Sequence, residues 1–597
     1  MIQFRAALPA AALALVAGCG GGQDEPEQTL VHEILEIGYS NSGSGEIDVA
    51  ALSAALEALT GISTEYGAAS HDAETGATVV EDVAFFLDAF PDARITVDET
   101  RIWDVSVEAI ERLAAGEADG LSMVADRILF LGVASEGLAL GEADLTLTME
   151  RAAIDDLALR PVERAAPTPE QGGLALFSGY AAMALATDYA IEAVQGVSFV
   201  ASDAETGGEV RYAIDGVIST GWENGTLERT ELLGFVNTII GAGPEALEGL
   251  EDEIAADADP VAAAIEGVTA VYSENFVRMT TGGYPKGSEF LSTVDTLTLS
   301  NADIRSGLQY MARLEMPPVT ETDLLDFGEI VSINQTGAYD GETFISVAEQ
   351  RSFANDFEWL VPSDIRGEMT DLKVNLLTFV TLMTDQQREL GELGEAEMAA
   401  FEQQMADTKA VIEELGLQTI VADGDFAWGF DGASGDASLE YSLDIDDLVL
   451  YKDLYRLSGP SLEGWAGYAE GGFTEEDQAG LLSELLIQQY RTSITDRQLI
   501  DKVMVVASKQ MGSTPEDLKV SAPAMIRVSG SQLAALHPKL PEFVEALAAW
   551  VEKSGTLTAS ANPNEPVTVL QVVAAGQENP AALIDLLNLD VEHSGGE

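Results

Sequence analysis

Apolar and polar residues alternate with period two over much of this chain. Ala143, Leu145, Leu147 and Met149 alternate with Asp144, Thr146, Thr148 and Glu150, the signature of a strand with one face toward a core and one toward water. The alternation returns at Val210, Tyr212 and Ile214, after the turn-forming Thr206-Gly207-Gly208, and again at Leu297 and Leu299 among Thr296, Thr298 and Ser300. The fullest hairpin runs through Phe426, Trp428 and Phe430, turns in Asp431-Gly432-Ala433-Ser434-Gly435-Asp436, and returns through Leu439, Tyr441, Leu443 and Ile445. Its large apolar side chains share one face, with Asp425, Glu440, Ser442 and Asp444 on the other. Such one-sided strands predict antiparallel sheet with a wet face.

Helical patterns punctuate the strands. Asp48 to Thr60 carries Leu52, Leu56 and Leu59 and ends at Gly61, a glycine placed to close a helix. An alanine-rich stretch from Gly173 to Val194 ends at Gly196, and Glu245 to Tyr272 reads as helix broken at Asp259-Pro260. From Glu395 to Leu415, Met398, Phe401, Met405, Ile412 and Leu415 form one stripe, with Gly416 as a stop. Leu390 extends that stripe back toward Thr384, across Gly391 and Gly394, which favour a break. Farther on, Thr495-Asp496-Arg497-Gln498 resembles a capping box opening a helix that closes near Gly512. Thr514-Pro515 and Asn579-Pro580 each set a cap residue before a proline, and Thr556 to Ser560 is a short strand between them.

These elements predict an α+β fold: antiparallel sheets or meanders with packed helices, and a helix-richer C-terminal region. The organisation reads as a leader over 1–18, an acidic tether over 19–30, and a β-rich α+β region over 31–240. A helical segment follows over 241–275, then a second β-rich region over 276–475 with its long helix, then a helix-rich region over 476–597. No regular period of 20–50 residues marks a solenoid.

Charge narrows the possible partners. The chain has 102 acidic against 29 basic residues, a net charge of −73. Nucleic acid is excluded, since its binding needs a basic groove that displaces counterions. No segment has the Lys/Arg-rich amphipathic face that would hold the body to an anionic bilayer. A hydrophobic content of 46% nevertheless argues for a folded chain rather than a disordered one.

The single cysteine, Cys19, follows Leu15-Val16-Ala17-Gly18, with Arg5 and an apolar run from Ala6 to Ala17 ahead of it. A basic start, short apolar stretch and small residues at the cut describe a secretory signal. With the cysteine at the cut, the segment resembles the lipobox of bacterial lipoproteins. The resemblance covers only the first twenty or so residues, and implies that Cys19 is diacylated, becomes the new N-terminus and is then N-acylated. The membrane partner would be reached through that anchor. In diderm bacteria, aspartate in the next position retains such proteins at the inner membrane; Gly20 stands there, so the resemblance implies an outer-membrane location, on its periplasmic face or surface. The leader is too short to span a bilayer, and Leu376 to Met383, the next most apolar run, is also far short of about 20 residues.

Catalytic motifs are sparse. His32, His71, His537 and His593 lie far apart in sequence and lack metal-binding spacing. Gly38-Tyr39-Ser40-Asn41-Ser42 lacks the final glycine of a nucleophile elbow, and Gly282 to Ser288 holds P-loop residues in the wrong order. No cofactor is called for. Asp444, Asp446 and Asp447 are weak calcium candidates or the acid–base pair of a glycosidase; Asp423-Gly424-Asp425 is not followed by EF-hand ligands. A sharper idea is an apolar groove lined by Phe426, Trp428, Phe430 and Tyr441, against the alternative that these aromatics are packed core. The layout is similar to the β-rich periplasmic proteins of the YdgA-like kind, from which no residue roles carry over. The expectation is a lipid-anchored envelope protein of non-catalytic type, a scaffold or a holder of an apolar or lipid ligand, with an envelope protein as another partner. A carboxylate-based hydrolase of envelope glycans and a calcium-dependent binding module are the alternatives.

Overall fold

The computed structural model describes Leu35, residues 39–41 and residues 45–595, apart from 88–89, 119, 141–142, 162–177, 179–180, 248–275, 316, 320, 360, 391–392, 465–479 and 481–482. Cys19, the leader and the tether lie outside the described residues, as does nearly all of the segment 245–272; only Pro244–Leu247 is described there, as a 3-10 turn.

Every named strand belongs to one antiparallel sheet of 21 strands. Short β1 (Ser63–Glu65) and β2 (Ala68–Asp72) both pair with β3 (Ala77–Leu87), which starts a meander. It continues through β4 (Phe90–Trp103) and β5 (Ser122–Glu136), a side strand β6 (Leu138–Leu140), then β7 (Ala143–Leu159), β8 (Thr187–Ser202), β9 (Glu209–Glu223), β10 (Thr226–Ile240) and β11 (Glu289–Asp303). Then come β12 (Glu329–Tyr339), β13 (Glu342–Glu358), β14 (Val361–Asn375), β15 (Thr419–Asp431), β16 (Asp436–Ile445), β17 (Val449–Ser458) and β18 (Leu486–Asp496). The last strands, β19 (Gly555–Ala561), β20 (Val567–Thr568) and β21 (Leu589–Ser594), are short. Short strands at both ends leave little free edge for pairing with another chain.

Helices occupy the connections. α1 (Val49–Thr60) precedes β1, and α2 (Val107–Ala114) joins β4 to β5; α3 (Phe276–Thr281) precedes β11, and α4 (Arg305–Arg313) follows it. α5 (Leu376–Leu390) and α6 (Glu395–Leu415) join β14 to β15. α7 (Leu499–Met511), α8 (Pro515–Leu533) and α9 (Leu540–Lys553) join β18 to β19, and α10 (Val569–Glu578) and α11 (Ala582–Leu586) precede β21.

This corrects the expected α+β fold of several sheets with a helix-richer C-terminal region. The protein is dominated by strand, at 48% against 30% helix, and the helices are insertions between neighbours of one sheet. Alternation shows that a segment is a strand but not which strand it joins, so one long meander reads as several small sheets. Local expectations fare unevenly. Asp48 caps α1 by accepting from the amides of Ala50 and Ala51, and Gly61 closes it at φ +73°. Thr514 accepts from Asp517 N at the start of α8. The alanine-rich helix to Val194 is overturned: residues 181–186 are helical, but 187–202 are β8, held by ladders to β7 and β9. The extended helix from Thr384 is two helices, with Gly394 as the cap of α6. The helix expected after Thr495-Asp496-Arg497-Gln498 forms as α7 and closes at Gly512 (φ +64°), but Thr495 is not its cap. Thr495 and Asp496 end β18, Gln498 precedes α7, and Asp496 accepts from Ile500 N.

The meander carries a row of left-handed residues that the sequence spacing hides. Asp82, Gly132, Gly196, Gly234, Asn334 and Asp371 all have positive φ. They sit on β3, β5, β8, β10, β12 and β14, and the ladders skip their positions along one line across the sheet. Only Gly, Asn and Asp take this conformation readily; the register is kept across these positions except beside Asp371, where the β14–β15 ladder shifts. At Gly234 (φ +62°) a second constraint applies, because the Asp215 carboxylate lies where a Cβ would stand.

Both faces of the first half are buried. Leu129, Ala153, Ala193 and Leu233 lie in one core cluster, while their chain neighbours Phe130, Ile154, Val194 and Leu232 lie in another. Successive strand residues point to opposite faces, so these clusters sit on opposite sides. α1 and α2 add Val49, Leu52, Ile110 and Leu113 to the larger one. Burying each large side chain contributes about 1.5–3 kcal/mol.

Candidate functional site: an open aromatic face

The second half of the sheet is two-sided in a different sense. The β15–β16 ladder pairs Phe426 with Tyr441, Trp428 with Leu439 and Phe430 with Ala437, which places the four predicted aromatics on one face. The register extends that face. Leu439 pairs with Tyr455 and Tyr455 with Tyr490; Tyr441 pairs with Asp453, and Leu443 with Tyr451. The other face carries Asp425, Glu440, Ser442, Lys452, Arg456 and Arg491. One face is thus aromatic and the other charged, by simple alternation.

The aromatic face is neither packed core nor bare. Phe426, Trp428 and Phe430 are half-buried, and Tyr441 is 38% exposed. Trp428 is fixed by its indole N–H, which donates to Pro362 O at 3.1 Å. Gly367 on β14 is needed beside Phe426, since a Cβ there would overlap the ring. Helix α5 packs on β13 and β14, and α9 packs on β19 and β21. The two helical groups meet where the Lys502 ammonium donates to Leu415 O and Lys509 pairs with Glu414. The stripe on α6 is half-buried at Met398, Phe401 and Met405, and only Ile412 is buried on that helix.

Asp453 is the charged residue among the tyrosines of the β15–β18 floor, where Asp496 lies at the far end. The hydroxyls of Tyr451 and Tyr455 both donate to its Oδ2, at 2.5 and 3.2 Å, while Oδ1 is buried without a hydrogen-bond partner. The Tyr455 and Tyr490 rings lie 4.9 Å apart and those of Tyr441 and Tyr451 6.3 Å. Burial, with Asp453's charge adding to it, raises the hydroxyl pKa of Tyr441 and Tyr455; for Tyr451 the larger cause is its hydrogen bond to Asp453. These phenols therefore stay neutral donors. Tyr451, Asp453, Tyr455 and Tyr490 were missed by sequence reasoning. The alternation of Tyr451, Asp453 and Tyr455 was a usable signal, but its juxtaposition with Tyr441 needs the register.

The predicted acidic candidates do not converge. Asp444 lies on the charged face and pairs with Arg497 at 2.7 Å. The backbone N–H of Asp446 donates to Val421 O, and Asp447 turns the chain at φ +54°. Among the described residues, no group of three or more His, Cys, Asp and Glu is placed to hold a metal. His537 lies 3.2 Å from Asp585, while His593 contacts Ser554 O.

A second polar assembly lies in the first half. Tyr39 OH donates to Asp126 at 2.7 Å, and Asn41 Nδ2 donates to Asp104 and Asp126. Tyr39 stacks edge-on against fully buried Trp103 and lies under the Arg127 guanidinium, which pairs with Asp155 at 3.3 Å. Burial, followed by the bond to Asp126, pushes the Tyr39 hydroxyl up to about 12. Burial also raises Asp155, against the lowering effect of Arg127. With Leu35 buried alongside, this assembly fastens the start of the folded body to the sheet.

Comparison with known proteins places only the C-terminal part. A family model described as "Uncharacterized protein" matches residues 437–594, about a quarter of the chain. That span includes Tyr441, Tyr451, Asp453, Tyr455 and Tyr490 but not Phe426, Trp428 or Phe430. No curated protein matches the chain. No described helix is long and apolar enough to cross a membrane.

Proposed function

We propose that this is a lipid-anchored cell-envelope protein of non-catalytic type, which holds an apolar ligand on the aromatic face of β15–β18. The observation that carries the reading is a broad row of rings on one sheet face, Phe426, Trp428, Phe430 and Tyr441, that stay only half-buried. Exposed apolar surface of this kind is costly unless something covers it, and sites for apolar ligands are built from such surfaces with few polar groups. Acylation at Cys19, which rests on the lipobox resemblance, would keep the face near a supply of lipid.

The test is native mass spectrometry of the full chain, followed by organic extraction of whatever co-purifies. A stoichiometric apolar mass, lost in a Phe426→Ala/Trp428→Ala variant, is the expected result. A clean apo mass would overturn ligand holding in favour of an envelope scaffold. The anchor is tested separately: Cys19→Ala should abolish acyl labelling and membrane retention, and a variant that stays in the membrane fraction would refute it.

A further inference from the structure

We infer that the ligand of the aromatic face is a cationic amphiphile, with an alkyl body on Phe426 and Trp428 and an ammonium head at the tyrosine cluster around Asp453. The inference rests on the proposed function and names the chemical class of its ligand. The floor formed by β15–β18 is apolar except for Asp453, Thr492, the tyrosine hydroxyls and, at its far end, Asp496, whose carboxylate accepts from Ile500 N; it carries neither Lys nor Arg. The nearest basic residues along the strands, Lys452, Arg456 and Arg491, point to the other face by alternation. Asp453 therefore places a negative charge among four tyrosines with no basic residue on its own face of these strands. Both hydroxyl donors go to Oδ2, and Oδ1 is unmatched.

Beyond the two donors, the rings of Tyr441 and Tyr490 flank the cluster, 6.3 Å from Tyr451 and 4.9 Å from Tyr455. Aromatic faces attract cations through their quadrupole, and do so most strongly when water is excluded. A carboxylate behind those rings adds a full charge in a medium of reduced dielectric. Rings plus carboxylate thus match an alkylammonium group, while an anionic head would meet Asp453 with nothing to offset it. Charge complementarity selects the head, and the row at Phe426 and Trp428 selects the tail.

The test compares three probes of equal chain length below their micelle-forming concentrations: dodecyltrimethylammonium, dodecyl sulfate and dodecyl glucoside. Binding to the full chain is read by calorimetry and by Trp fluorescence. The expected result is one tight site for the ammonium probe, with affinity about tenfold above the neutral probe. Asp453→Asn, which keeps an acceptor for the tyrosines, should remove that preference and leave the neutral probe unchanged. Glu440→Gln, an equal loss of charge on the opposite face, should leave the preference intact and so control for the protein's overall charge. Tyr441→Ala, at a half-exposed ring, gives a second variant whose fold does not depend on the carboxylate. If the neutral probe binds at Trp428 but the ammonium probe gains nothing from Asp453, the inference falls and the proposed function stands. If no probe binds at a discrete site, both fall.

Discussion

The two halves of the sheet share one backbone plan and differ in what covers them. From β3 to β11 neighbouring residues such as Leu129 and Phe130 fall in separate cores on opposite faces. From β14 to β18 one face is charged and the other is an aromatic row that stays half-buried. Strand ladders alone do not decide which state a sheet adopts. The first half gains α1, α2 and the Tyr39–Trp103 contact, whereas the second half has helices on β13–β14 and on β19 and β21. The difference separates a part built for stability from a part with surface left to use.

The largest predicted effect comes from removing Trp103, which is fully buried. Trp103→Ala should cost about 3–5 kcal/mol in denaturant unfolding, and Trp428→Ala distinctly less. Equal costs would break the comparison, since the aromatic face would then be core. Next, Gly234→Ala forces a Cβ onto a left-handed strand residue and against Asp215. It should cost about 1–3 kcal/mol, measured by the same unfolding curves. A neutral result would mean that the row of left-handed residues does not shape the first half.

The pH dependence gives a subtler distinction. Asp155 is held above the ordinary value of 3.8, chiefly by burial, so the native state keeps its proton more readily than the unfolded chain. Its contribution is full below 3.8 and is lost as pH rises through the higher native value. In Asp155→Asn that part of the slope of unfolding free energy against pH should disappear, whatever the mutation costs overall. An unchanged slope would remove Asp155 from the account. The smallest stability effect belongs to Tyr441→Ala, expected within about 0.5 kcal/mol for so exposed a ring. A large loss there would show that the aromatic face is structural.

Particular residues show what was legible. The hairpin from Phe426 to Ile445 was readable because its strands are neighbours in sequence and its turn residues are diagnostic: Asp431 accepts from Ala433 and Ser434 N, and Gly435 has φ +73°. Caps at Asp48, Gly61 and Thr514 were readable for the same reason, since a cap acts within four residues. The stretch before Gly196 misled because alanine favours helix locally, while ladders on both sides of β8 offer more hydrogen bonds and burial than a helix could. Gly196, taken as a helix stop, is a left-handed residue inside strand β8 (φ +64°). Its conformation was foreseeable and its context was not.

By itself the sequence determined the alternation that makes strands, the residues able to take positive φ, the acidity that excludes nucleic acid, and the aromatic character of one hairpin face. Only the tertiary structure decided that the strands form one meander, that the left-handed residues align across it, and that Asp453 stands among Tyr441, Tyr451, Tyr455 and Tyr490. The physical reason is range. Backbone dihedral preference and side-chain alternation act over a few residues, but register joins Tyr441 to Asp453 and Tyr455 to Tyr490 across loops of unequal length. What covers each face is settled only when every strand has found its neighbour.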